Sequence, residues 1–439
     1  MRITARSQIP QAIQWCIDNK DNYDISIITL SSWYQLGPCD GLCEACKKAD
    51  DAIEKGIVFV KSAGNQWGGD ITCPGSAFNI ITVGASDDHG TVTTSDDTVA
   101  DFSSHGPTED GRPGLDIVAP GVNIIMPALG GGYASSNGTS FAAPHVAGLA
   151  ALILEKNPNW SPNMVKDAIR NPSNTVDLGY DRNTQGYGLI DALSSVQASP
   201  DGSYGWDPFY VENSNGKIKF DITRDKNVIA LQDVYVEGVY MLKSMVTPYA
   251  WVDSTRYKLT DNYLFTGPRV TGKGDTAVGL RFKYIVGGLD VHPTYAVSTI
   301  WIHPWIGIVS IDGQNHDFDI LGYYDVDLQD SPNDCPQWTS GSNINNEIRY
   351  AGTDQFYVKH RQKFLWWWIY PKPWLRFEPY SLDNPKIWIL HYETAGYTYN
   401  PDTYLNGEAV WGENIVIYYK AYYDNALSAA PGPTISIIK

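Results

Sequence analysis

Apolar positions in the first two hundred residues switch repeatedly between two spacings. Ala12, Ile13, Cys16 and Ile17 recur at helical intervals over residues 11–19, with Pro10 acceptable in the first turn. Ile25, Ile27 and Ile28 then predict a buried strand over residues 24–30. The alternation repeats, with a helix at 43–55, Gly56 as its C-terminal stop and a strand at 57–60. Further strands are expected at 79–85, 115–118 and 123–126. Helices are expected at 140–156, stopped before Pro158, and at 161–170, with residues 189–196 closing the domain. Strands and helices taken in turn predict an α/β domain with a parallel sheet over residues 1–199.

Beyond Pro200 the period becomes two. Segments such as Asn414 to Tyr419 alternate, and Asn, Asp and Gly turns separate them. Residues 200–439 are therefore expected to form a β-sandwich-like domain. Eleven of the fifteen tryptophans fall here, so the aromatic load belongs to this half. Trp366, Trp367 and Trp368, near Trp374, read either as a platform for carbohydrate or protein, or as packing within strands.

Composition narrows the classes. At 43% hydrophobic and 18% charged residues the chain has the make-up of a folded protein. A formal net charge of −17 argues against a nucleic-acid partner, which requires a basic face. No apolar run reaches the length of a membrane span, and the first 25 residues lack a signal-peptide pattern. Of six cysteines, Cys39, Cys43, Cys46 and Cys73 are grouped, and C-x3-C-x2-C leaves a metal or iron–sulfur site open beside disulfides. Cys16 falls on an apolar helix face, and Cys335 is expected in a loop.

The chemistry concentrates at Asn137 to Gly148, where a glycine turn leads into an apolar helix. Ser140 lies in its first turn, where backbone N–H groups are unpaired and the dipole favours negative charge. Such a position suits a nucleophile and the anion its attack creates, although a serine there also reads as a plain N-cap. The full run G-T-S-F-A-A-P-H-V-A-G resembles the nucleophile motif of the subtilisin-like serine peptidases, the subtilases. Val58 to Asn65 resembles that family's strand ending in the oxyanion asparagine. Phe102 to Pro107 and Asp116 to Gly121 resemble its F-S-S-x-G-P and D-x-x-A-P-G segments.

This resemblance, over roughly residues 10–197, implies a serine endopeptidase acting on polypeptides, with Ser140 as nucleophile and Asn65 as oxyanion donor. It implies that Leu30 and Ser31 lie along the substrate, and that Ser62, Ala63 and Gly64 wall a pocket open to large apolar side chains. It further implies an exported protein, extracellular or at the cell surface, with Cys39, Cys43, Cys46 and Cys73 paired in two disulfides. No cofactor is required. Calcium is possible, with Asp87, Asp88, Asp96 and Asp97 as candidate ligands.

One part of the pattern is missing. The family places its aspartate and histidine ahead of the asparagine, yet the first histidine here is His89, after Asn65. His89-Gly90-Thr91 is a decoy in a later loop, and His145 belongs to the serine motif as a structural residue. His105 receives no role. The expectation is a C-terminal piece of a peptidase, completed by upstream sequence or by a second polypeptide and nearly inactive alone. The reading from another class is a non-catalytic binding protein on a peptidase-like scaffold.

Overall fold

The computed structural model describes residues 8–34, 37–200, 204–225, 228–253, 255–260, 263–314 and 316, and strands alone from there to Ile438. These divide into two compact units, one comprising Met1–Asp207 with Leu264–Arg269, the other Pro208–Tyr263 with Val270–Lys439. The first unit thus runs past residue 199 and includes a short segment from much later in the chain.

The first unit opens with helices α1 (Ile9–Asp18) and α2 (Lys20–Tyr23), followed by strand β1 (Ile27–Leu30). The strand expected from residue 24 starts at Ile27, because α2 and a left-handed Asp24 take up the residues before it. Helix α3 (Glu44–Glu54) follows, with Cys43 as its N-cap and Gly56 at φ +86° just past its end. Then come β2 (Val58–Ser62), β3 (Ile81–Asp87), β4 (Thr98–Val99), β5 (Ile117–Pro120), β6 (Ile124–Pro127) and β7 (Tyr133–Ser136). The long helix α4 (Thr139–Lys156) leads to α5 (Pro162–Arg170), which Ser161 caps by accepting from Met164 N–H. Strand β8 (Thr175–Val176), helix α6 (Arg182–Gln185), strand β9 (Leu189–Ile190) and helix α7 (Ala192–Gln197) close the element series.

The main sheet has the order β1-β2-β3-β5-β9-β8, with β4 alongside β3. The pairs from β1 to β9 run parallel, as the alternation predicts. β2 is buried along its whole length, and α4 packs its Ala142, Ala143, Val146, Leu149, Ala150 and Ile153 into the core with it. The strand expected at residues 123–126 is β6, which pairs with β7 in a separate antiparallel hairpin and shows the one-sided burial of a surface ribbon.

The second unit is antiparallel throughout its paired strands. Its hairpins turn tightly. Val228–Val236 meets Val239–Val252 through Glu237 and Gly238 at φ +52° and +79°. Ala277–Val286 meets Leu289–Ser298 through Gly287 and Gly288 at +53° and +80°. Positive φ at both central residues matches the turn to the twist of the strands. Leu289, Val291, Pro293, Tyr295 and Val297 point inward in strict alternation. Cys335, expected in a loop, lies in the strand Asp334–Trp338. The aromatic platform at 366–368 lies outside the residues whose side chains are described. No described helix is long and apolar enough to cross a membrane.

Candidate functional site

β2 ends at Ser62, and the chain continues through Ala63 and Gly64 to Asn65, beside the first turn of α4. Gly138 is the N-cap of that helix, so Thr139 and Ser140 are its first two residues and the plain-cap reading of Ser140 does not hold. Among the described residues no side chain accepts from the Ser140 hydroxyl.

Thr139 fixes the asparagine. Its backbone N–H and its hydroxyl both donate to Asn65 Oδ1, at 3.0 and 2.9 Å. Gly64 N–H donates to the same hydroxyl at 3.2 Å. With Oδ1 so engaged, the donor end of the carboxamide faces Gly138, where an added Cβ would lie 3.3 Å from Nδ2. The backbone there, at φ +153° and ψ 152°, belongs to a region open in practice to glycine alone. Among the described residues nothing accepts from the amide N–H pair, which is thereby held next to the turn of helix that bears Ser140.

Pro144 shapes the other side. An α-helix needs an N–H at residue 144 to satisfy the carbonyl of Ser140, and proline has none. The Ser31 hydroxyl donates to that carbonyl instead, at 3.1 Å. Ser31 follows β1, so this bond ties the end of the edge strand to the first turn of α4. Leu30 is half-buried and Ser31 exposed, whereas the side chains of Ser62 and Ala63 are buried. Ala63 N–H donates to the Val83 carbonyl and its own carbonyl accepts from Thr72 N–H, so the backbone of this stretch is tied on both sides.

Lys61, which precedes Ser62 in β2, is 1% exposed. Its ammonium donates to the Ser62 carbonyl and to Thr72 Oγ1. Burial pushes its pKa down to about 7.

The remaining sequence candidates are placed as follows. His145 Nδ1–H donates to the Phe141 carbonyl at 2.9 Å, a local helix bond on an exposed side chain. His89 pairs with Thr98 Oγ1 at 3.1 Å on the exposed loop after β3. Asp87, Asp88 and Asp96 accept hydrogen bonds from His89 N–H, Gly90 N–H and the Thr91 hydroxyl, so the acidic pairs shape this loop. Cys39 and Cys73 form a disulfide, while Cys43 and Cys46 are free thiols. Two bonds were expected. Among the described residues one forms, and the unpaired Cys43 sulfur serves as the helix cap, accepting from Cys46 N–H at 3.4 Å.

Thr139 and Pro144 are the residues whose part in the site the motif reading passed over. Both lie inside the recognised run, but Thr139 bonds a residue 74 positions away, and the Ser140 carbonyl that Pro144 leaves open is met by Ser31, 109 positions from Ser140.

Residues 4–188 match the model of the subtilase family. The serine protease AprX of Bacillus subtilis (strain 168) is 39% identical over 215 residues, which are 43% of this chain and 48% of that protein. Subtilisin Savinase of Lederbergia lenta is 34% identical over 191 residues, 44% of this chain and 62% of that protein. The solved structure of the prenylagaramide maturation protease PagA aligns at 25% identity with a TM-score of 0.36, covering 43% of this chain and 66% of that one. The chain spans about half the length of the curated relatives it matches.

Proposed function

We propose, from the match of residues 4–188 to the subtilase family model, that the chain is the nucleophile-bearing part of a serine endopeptidase acting on polypeptides outside the cell or at its surface. Ser140 Oγ attacks the scissile carbonyl carbon and gives its proton to a base. The carbonyl oxygen, now anionic, takes hydrogen bonds from Asn65 Nδ2 and from a backbone N–H at the start of α4. Collapse expels the amine, which takes up the proton, and leaves an acyl ester on Ser140 that water hydrolyses. The substrate lies along Leu30 and Ser31 as an added strand, its side chain before the cut bond against Ser62, Ala63 and Gly64. The base and the carboxylate that orients it come from a segment outside these 439 residues. The β half is an accessory domain that holds carbohydrate or protein.

The observation that carries this reading is the clamp of Thr139 on Asn65 Oδ1, which leaves the carboxamide N–H pair free beside Ser140. Two further facts support completion by another segment. Among the described residues β1 stands at the end of the sheet, and no histidine precedes Asn65. The test is labelling by a fluorophosphonate after a family-type segment bearing D-S/T-G and H-G-T-H is joined or co-expressed. Labelling that disappears in Ser140→Ala supports the peptidase. A completed, folded protein that is never labelled would instead be a binding protein on the same scaffold.

A further inference from the structure

Four sulfurs converge in the first unit, away from the turn that bears Ser140. Cys39 comes from the loop ahead of α3, Cys43 caps that helix, Cys46 lies in its first turn and Cys73 in the segment between β2 and β3. Their Sγ atoms all lie within 4.8 Å of one another. Cys43 to Cys73 is 3.3 Å, Cys39 to Cys46 is 3.6 Å and Cys46 to Cys73 is 3.8 Å. The disulfide between Cys39 and Cys73 accounts for two of these sulfurs and leaves the other two against it.

Pairing in disulfides asks each sulfur to meet one partner. It gives no reason for all four to gather at one point. A single tetrahedral ion does, because zinc–sulfur bonds of about 2.3 Å place the sulfurs about 3.8 Å apart. We propose that the reduced chain binds one zinc ion through the thiolates of Cys39, Cys43, Cys46 and Cys73, as a closed structural site. An iron–sulfur cluster is the poorer occupant, since it must also fit its inorganic sulfides between the four cysteines.

The surroundings fit that charge and that geometry. Cys46 N–H donates to Cys43 Sγ, the kind of outer-shell bond that orients a metal ligand. The start of the eleven-residue α3 offers the positive end of its dipole to the thiolates. Arg112, pinned by Asp110, donates to the carbonyls of Asp40 at 3.2 Å and Ser76 at 2.8 Å. It thus braces the chain next to Cys39 and the turn after Cys73. Cys39, Cys46 and Cys73 are buried, which leaves no open position for a reactive water.

The chemistry balances with a dithiol as reductant. The dithiol gives two electrons and two protons to the Cys39–Cys73 bond and becomes a cyclic disulfide. Zinc then takes the four sulfurs, and four thiol protons pass to solvent. Disulfide and zinc are therefore alternative fastenings of α3 to the segment where Thr72 hydrogen bonds to Ala63, just ahead of Asn65.

Cobalt titration tests this on the full chain, reduced with dithiothreitol and freed of it under argon. Thiolate-to-cobalt charge transfer and tetrahedral d–d bands should saturate at about one equivalent and vanish when zinc is added. Cys43→Ser and Cys46→Ser should each lose the tetrathiolate spectrum, and Cys16→Ser should keep it. A reduced chain with native circular dichroism that takes up no cobalt overturns the site. So does wild-type charge-transfer intensity matching two thiolates instead of four, a readout that stands even where a variant misfolds.

Discussion

At Ser140 the decisive contacts belong to neighbours. Thr139 holds Asn65 through two hydrogen bonds to one oxygen, and its hydroxyl supplies one of them. In the completed enzyme Thr139→Val should slow fluorophosphonate labelling of Ser140 about tenfold or more, short of the hundred- to thousandfold typical of losing an oxyanion donor outright. Thr139→Ser should restore it, and equal rates in all three proteins would remove Thr139 from the site. The sequence made Ser140 and Asn65 legible because each stands in a long recognisable run. It left Thr139 unassigned, and it placed Ser31 along the substrate without its bond to the Ser140 carbonyl, since only folding brings these two to partners far along the chain. Lys61 gives a second prediction. Its pKa is about 7 when folded against an ordinary 10.5, because burial disfavours the charged form. Between those values the unfolded chain binds more protons, so stability should rise with pH across that window. Below about 7 both states are protonated and the full cost of burial remains. Lys61→Met should flatten that rise in urea unfolding and stabilise the protein most below pH 7, by on the order of a few kcal/mol. Parallel pH curves for the two proteins would show that Lys61 keeps an ordinary pKa.

Elements are fastened around the site by buried charge. Asp116, just ahead of β5, accepts from Thr82 N–H at 2.8 Å and pairs with Lys166 at 3.1 Å and with Arg170. Arg170 also reaches Asp207 at 2.9 Å, and Arg182 and Tyr187 join there. One network thus binds β3, β5 and α5 to the end of the first unit. Removing one partner from such a network strands the others, which typically costs about 3–5 kcal/mol. Arg170→Met is expected to lower stability by that order in chemical unfolding, and a loss under about 1 kcal/mol would show the network to be dispensable. Periodicity located these elements well because each buries one regular face. It found the strand at residues 123–126 but not its partner, which among the described residues is β7 in a surface hairpin. It also missed α2, a single turn with no buried residue to mark it.

For the whole molecule, the open side of the main sheet matters most. Among the described residues β1 pairs with β2 alone, and its apolar Ile27, Ile28 and Leu30 are only half-buried. On α4, the exposed residues His145, Gly148, Ala151 and Leu152 fall in one stripe, with Leu152 52% exposed. Helical spacing revealed the buried face of α4 but not this second one, because small and apolar residues surround the helix on both sides. An open strand edge beside an apolar helix stripe is the surface against which a completing strand and helix would pack. Leu152→Glu should therefore weaken binding of the completing segment at least tenfold, since it sets a charge in a buried contact. Labelling of Ser140 in the mixed chains should fall in parallel. Leu193→Glu, on the 68% exposed Leu193 of α7, should leave both unchanged. Titration calorimetry on full-length chains separates the cases, because equal affinity of wild type and Leu152→Glu for the segment would place the completing contact elsewhere.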